Sequence, residues 1–221
     1  HWPSLARLNQ LFVKTFDNTP TGDWWVLLDL ENDVQTGEGF RSTVEVGITL
    51  AASLAVRGLH ANHAVGMIAG ADQLVWLPPE ASEGQSWKIL NTLARVAPGN
   101  IPIEQLLAGN RGAFKNRCSL VVITPSLSTQ WIGQLIALAR SGAVPTVLLV
   151  SPSGPSLPPA AVALQALLAD LGIAATIVTP EIFDPTRIAS EARNVWEWRV
   201  LPTGKVIPLR RPADMEWRTL A

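Results

Sequence analysis

Apolar residues along this chain fall into two rhythms: short unbroken runs, and longer stretches spaced at three and four positions. The run Trp24-Trp25-Val26-Leu27-Leu28 is nearly continuous and shows no alternation. A strand covered on both faces reads this way, because neither side meets water. Ala64 to Ala69, Ser119 to Thr124, Val144 to Val150 and Ile173 to Val178 are further strand-length runs. Pro145 falls near the start of its strand, where a missing backbone donor is tolerated. Leu74 to Leu77 follows Ala64 to Ala69 across a short turn with Gly70 and Asp72, which predicts a hairpin. Leu11 to Phe16 alternates as a strand.

Helical spacing occupies the intervals. Val44, Ile48, Leu50, Ala51, Leu54 and Ala55 predict a helix over Val44 to Arg57, closed by Gly58. Further helices are predicted over Gly84 to Val96, Thr129 to Arg140 and Ala160 to Leu171, with a short one starting near Ile101-Pro102. Alternating strands and helices predict an α/β fold: a doubly wound, mostly parallel sheet with helices on both faces. Trp196, Trp198, Val200 and Leu201, then Pro202-Thr203-Gly204-Lys205, then Val206-Ile207 predict a C-terminal β-hairpin tail. The expectation is a single domain over 1–221, with a lead-in over 1–21, an α/β core over 22–180 and a tail over 181–221.

Composition narrows the function. Apolar residues make up 48% and charged residues 16%, enough for a sizeable core. Seventeen basic and 18 acidic residues leave a formal charge of −1, which gives no electrostatic reason to expect nucleic acid or an anionic membrane as partner. The one cysteine, Cys118, excludes an intrachain disulfide and a thiolate zinc site, and suits a partly buried position at a strand start. No run approaches the roughly 18 apolar residues of a membrane span. The chain opens on His1, not Met. The expectation is therefore a cytoplasmic domain cut from a longer protein, with any membrane anchor in segments absent from this chain.

In a parallel sheet, ligands gather beyond the carboxyl ends of the strands, where strand order reverses. The candidates there are Asp29, Glu31 and Asp33, then Thr124, Ser126 and Ser128, and the loop Pro98-Gly99-Asn100. Three carboxylates at alternate positions repel one another unless a cation or basic groups sit nearby, and their oxygens suit Mg²⁺ or Ca²⁺. Their simpler reading is a solvated acidic loop. His60 and His63 lack a clear third ligand and read as surface residues. No nucleophile elbow or phosphate loop is present, and Gly37-Glu38-Gly39 lacks the third glycine of a dinucleotide fingerprint. Nothing local points to an enzyme. Trp24, Trp25 and Trp131 read as core, whereas Trp196, Trp198 and Trp217 suit a tail fastened to the domain or a partner patch.

Several segments together resemble a bacterial family called "domain of unknown function 58". The opening His1-Trp2-Pro3-Ser4-Leu5-Ala6-Arg7 resembles its I-H-W-K-x-S-A-R segment, and Val13 to Phe16 its following short strand. The apolar strand ending at Asp29, the helix Glu45 to Ala55 with its A-A-S-L-A pattern, and the strand Val65 to Ile68 follow in the same order, over roughly residues 1 to 150. That family is similar to the von Willebrand factor A domain. The resemblance implies a doubly wound sheet, upstream membrane segments, and a chaperone-like or assembly role beside a MoxR-type AAA+ ATPase. It also implies a metal-ion-dependent adhesion site, Asp-x-Ser-x-Ser followed by a Thr and a later Asp. Asp29 matches the first position, Glu31 and Asp33 stand where the serines belong, Ile101 falls at the Thr and Pro125 at the final Asp. Ile and Pro offer no side-chain oxygen, so the resemblance implies a degenerate site without a tightly bound metal. The resulting expectation is a non-catalytic protein-interaction or scaffold module with no required cofactor. Its alternative is a cation-dependent adhesion module using Asp29, Glu31 and Asp33 with Mg²⁺ or Ca²⁺.

Overall fold

The computed structural model describes residues 22–114, 118–152, 157–183, 197–200 and 206–210. The predicted strand at Leu11 to Phe16, and Trp196 and Trp217, lie outside these. Six strands form one sheet: β1 (Trp24–Asp29), β2 (Val65–Gly70), β3 (Leu74–Glu80), β4 (Ser119–Thr124), β5 (Val144–Val150) and β6 (Ala174–Val178). Their order is β3-β2-β1-β4-β5-β6. All neighbours are parallel except β2 and β3, the predicted hairpin.

Among the described residues five α-helices cover the sheet: α1 (Thr43–His60), α2 (Glu83–Leu93), α3 (Ile103–Gly109), α4 (Ile132–Arg140) and α5 (Pro159–Asp170). The two-residue period of β1 shows why its sequence is apolar throughout. Val26 and Leu28 enter the cluster that holds Val46, Ala51 and Ala55 of α1 and Ile89 and Leu93 of α2. Trp25 and Leu27 enter the opposite cluster, with Ile103, Leu106 and Leu107 of α3, Leu135 and Leu138 of α4, and Leu164 and Leu168 of α5. Helices therefore lie on both faces, as the sequence predicts.

Helix boundaries shift where local chemistry competes. Pro102 is the residue before α3 and not part of its first turn. The α4 helix begins three positions later than its apolar spacing suggests, after Ser128 Oγ accepts the Gln130 N–H at 3.2 Å. The hydroxyl offers the backbone an alternative to the helical ladder. Of the three tryptophans expected in the core, Trp25 and Trp131 are buried. Trp24 is only partly covered, stacked on His63 with ring centroids 4.6 Å apart. Cys118 is fully buried, not partly. A separate antiparallel hairpin forms from β7 (Glu197–Val200) and β8 (Val206–Arg210), as predicted for the tail.

The edge strand β3 carries Pro78 and Pro79, which cannot donate to a ladder. A bulge sits there, and Gln85 of α2, 1% exposed, fills it by donating Nε2 to both the Val65 and Pro78 carbonyls at 2.8 Å. At the opposite pole the segment Ala97 to Asn100 stitches the ends of β1 and β2 together. Gly99 N–H donates to the Leu30 carbonyl (2.9 Å), Asn32 N–H to the Gly99 carbonyl (2.8 Å) and Asp72 N–H to the Ala97 carbonyl (3.0 Å).

That stitch requires glycine, since a Cβ on residue 99 would stand 2.1 Å from the Ala71 carbonyl oxygen. Gly99→Ala is expected to lower stability by about 3 kcal/mol in urea unfolding, by forcing the two backbones apart. Gly84→Ala in the first turn of α2, where a Cβ meets nothing, is expected to add roughly 0.5 kcal/mol. Equal effects of the two changes would mean that the close approach at Gly99 does not exist.

Candidate functional site

The chain leaves β1 toward β2 and later returns to the other side of β1 as β4. The carboxyl ends of β1 and β4 are therefore the point where strand order reverses, the usual ligand crevice of such sheets. Asp29 ends β1 and Thr124 ends β4. The Thr124 hydroxyl donates to Asp29 Oδ2 at 2.6 Å and accepts the Ser126 N–H at 2.9 Å. The Glu31 N–H donates to Asp29 Oδ1 at 3.1 Å. Both carboxylate oxygens are thus engaged from inside the protein, and Asp29 is 2% exposed.

Burial raises the Asp29 pKa from 3.8 to about 6, only partly offset by the hydrogen bonds from Thr124 and the Glu31 N–H. Glu31 lies half-buried and is pushed upward by burial and by the charges of Glu104 and Asp33. Asp33 is exposed in the 3-10 turn Asn32–Val34. The three carboxylates are neighbours in sequence but not convergent ligands. Among the described residues no three His, Cys, Asp or Glu side chains come together as a metal-binding group. At the positions of the remaining adhesion-site ligands, Ile101 packs partly buried against the core and Pro125 lines a groove. This donor set does not fit a divalent cation. Asp29 is 2% exposed, and no second carboxylate converges on it to complete a coordination shell. The oxygen facing Asp29 belongs to Thr124, one residue ahead of the position at which an aspartate would be sought. His60 is exposed at the end of α1, far along the chain from these groups, and His63 stacks on Trp24.

The loop after β1 is fastened to the start of α1. Gln35 donates Nε2 to the Asp29 carbonyl at 3.1 Å and accepts the Thr43 hydroxyl at 2.8 Å. Thr43 Oγ1 accepts the Thr36 N–H at 2.9 Å, and the Thr43 N–H donates to the Thr36 carbonyl at 2.9 Å. Ser42 accepts the Glu45 N–H as N-cap of α1. Between Thr36 and Thr43 the chain turns through Gly37 (φ 82°) and Gly39 (φ 57°), a backbone region that glycine enters without strain. Phe40 rides at the tip, 94% exposed. Beside this loop lies a groove of about 290 Å³ lined by Val34, Thr36, Pro125, Leu127, Ser151 and Pro158, among others.

Gln35 and Leu127 fall within the segments Asp29 to Gly39 and Thr124 to Ser128 that the sequence places at the contact rim, whereas Thr43 and Phe40 lie outside them and Ser151 stands out only as the start of a Pro- and Ser-rich loop. The Ser42-x-x-Glu45 spacing is a capping signature that locates Thr43 at the helix start. No local signal marks Phe40 as exposed.

Two outcomes follow from the geometry. Asp29 is an acid whose folded pKa lies above its unfolded value, so its contribution to stability is present below about pH 4 and is lost as pH rises through about 6. The loss amounts to about 3 kcal/mol. Asp29→Asn keeps an acceptor for Glu31 and carries no charge. It is expected to match the native protein at pH 4 and to be more stable at pH 7, measured as unfolding free energy against pH. Parallel curves for the two proteins would show that Asp29 is not desolvated. Separately, millimolar Mg²⁺ or Ca²⁺ is expected to move Tm by less than about 1 °C relative to EDTA. A larger rise that vanishes in Asp29→Ala would restore the cation-dependent reading.

Solved structures share this architecture. A conserved hypothetical protein, BatB, from Bacteroides thetaiotaomicron is 17% identical, with a TM-score of 0.56 over 77% of this chain and 97% of that one. An aerotolerance-related membrane protein from Bacteroides fragilis NCTC 9343 is also 17% identical, at 0.54 over 79% and 100%. The SpRpn10 VWA domain is 12% identical, at 0.51 over 77% and 94%. These likenesses establish the fold, which is of the von Willebrand factor A type. No curated protein matches the chain. The model of the family described as "Protein of unknown function DUF58" matches residues 1–171, and the chain belongs to that family.

Proposed function

We propose that this domain is a non-catalytic protein-interaction module whose contact surface is the rim beyond the carboxyl ends of β1 and β4. The observation that carries the reading is Phe40. A phenylalanine exposed to 94% is held at the tip of a loop closed at Thr36 and Thr43 by paired backbone and side-chain bonds. An ordered loop that presents an aromatic side chain to water suits a partner, because aromatic anchors carry much of the energy of protein interfaces. The crevice interior supports the same reading from the other side. Its carboxylate is almost fully buried and held by two internal hydrogen bonds, so little of it is open to a substrate.

The resemblance to the family suggests a MoxR-type AAA+ ATPase as the partner. The Bacteroides fragilis neighbour, described as an aerotolerance-related membrane protein, supports a site of action beside a membrane. No helix among the described residues is long and apolar enough to cross one.

Pull-down with a MoxR-type AAA+ ATPase from the same organism tests the reading. Phe40→Ser, and separately Glu31→Ala with Asp33→Ala, are expected to weaken capture by more than about tenfold, as the loss of a hot-spot residue does. Both sets are exposed or half-exposed, so Tm should hold within about 2 °C. Undiminished capture by both variants would remove the rim from the interface.

A further inference from the structure

We propose that the groove above the ends of β4 and β5 receives a short extended peptide segment carrying an apolar side chain flanked by Lys or Arg. The inference rests on the interaction-module reading and specifies what the partner presents.

Three observations converge. The lining is apolar, with Val34, Pro125, Leu127, Pro152, Pro158 and Ala161 around about 290 Å³. That volume lies at the low end for a small-molecule pocket and suits one anchoring side chain with its adjoining backbone. Leu127 is 40% exposed and open to contact.

Second, Ser151 lines the same groove. It is 3% exposed, and its Oγ has no hydrogen-bond partner. A buried hydroxyl without a partner is rare, because it forfeits its bonds to water. That oxygen is buried in the groove wall, so a peptide carbonyl or N–H laid along the groove supplies the missing bond when the Ser151 side chain rotates outward. A purely aliphatic ligand would not.

Third, the loop beside the groove is net negative, with Glu31, Asp33 and Glu38 against Arg41. Asp33 directly precedes Val34 in the same turn, and Glu31 and Glu38 belong to the same loop. Glu31 feels the charges of both Asp33 and Glu104. Among the described residues no ion pair engages any of these acids; the pair that forms, Lys88–Glu80, is on α2 and β3. Arg41 is the basic side chain of this loop, exposed on the far side of Phe40 in sequence. A basic segment relieves the repulsion, whereas an acidic segment, a nucleic acid or an anionic lipid surface adds to it. A second copy docking rim to rim would meet the same acids and is disfavoured on the same ground.

Three synthetic hexapeptides test this on the full 221-residue chain: Arg-Lys-Leu-Leu-Arg-Lys, Glu-Asp-Leu-Leu-Glu-Asp and Arg-Lys-Ser-Ser-Arg-Lys. Titration followed by amide chemical shifts should show saturable binding of the first, centred on Val34, Leu127, Ser151 and Ala161. The other two should bind at least tenfold more weakly. Leu127→Arg and Asp33→Lys should each weaken the first peptide by tenfold or more, and Ser151→Ala by severalfold with Tm unchanged or raised. The conservative Ser151→Thr, which keeps the hydroxyl, should retain more affinity than Ser151→Ala. No binding of the first peptide at millimolar concentration, equal binding of the acidic peptide, or indifference to Leu127→Arg overturns the proposal. If the groove fails while Phe40→Ser still abolishes capture of the ATPase, the module reading stands and only the peptide groove falls.

Discussion

Everything at the functional end of this domain depends on where β1 runs. It is the strand around which the others are laid, and both its faces are covered by helices, so its last residue is carried into the interior. That residue is Asp29. A carboxylate withdrawn from water must be protonated, paired with a cation or surrounded by donors. Here the third solution is adopted. Thr124 from the neighbouring strand and the Glu31 N–H from its own loop hold the two oxygens, and the remaining cost of desolvation appears as the raised pKa. The hydrogen bonds lower the pKa and burial raises it, and burial wins.

The consequence spreads outward by contact. Because the Glu31 N–H is committed to Asp29, the loop cannot leave the sheet freely. Gln35 then reaches back to the Asp29 carbonyl and forward to Thr43. Gly99 holds the other flank through Leu30 and Asn32. The loop that presents Phe40 is thus braced at both ends. In the crevice where other sheets of this kind bind ligands, the polar groups bond to one another, and the rim carries an exposed aromatic ring, an apolar groove and acids that no ion pair engages among the described residues.

How much of this could be read along the chain follows from the range of each interaction. The core strands announce themselves because double-sided burial leaves an unbroken apolar run, and β1, β2, β4 and β5 fall where those runs lie. The start of α1 is marked by Ser42 and Glu45. The bond between Thr124 and Asp29 joins residues 95 apart. Sequence placed both at strand ends but could not say which of Thr124, Pro125 or Ser126 would face the carboxylate. Phe40 was invisible for a different reason. An apolar residue in a loop is ordinarily assumed to find cover, and only the backbone path through Gly37 and Gly39 turns it outward. The α5 helix carries no charge before Asp170, so its sequence does not mark a solvent face, yet Val162 and Leu167 are 47% and 40% exposed while Ala161, Leu164 and Leu168 are buried.

A leucine in place of Asp29 would pack into the same interior without any desolvation cost, so the carboxylate is not explained by stability alone. The leucine would, however, leave the Thr124 hydroxyl and the Glu31 N–H facing one another across an apolar side chain. The Thr124 hydroxyl would then be a buried donor and the Glu31 N–H a part-buried one, and a fully buried donor without an acceptor costs about 1–3 kcal/mol. Relaxing that penalty requires the loop to swing toward water, which would carry Gln35 away from Thr43 and release the turn that holds Phe40. The acid at the end of β1 therefore carries a desolvation cost at neutral pH and at the same time fixes the loop that presents Phe40.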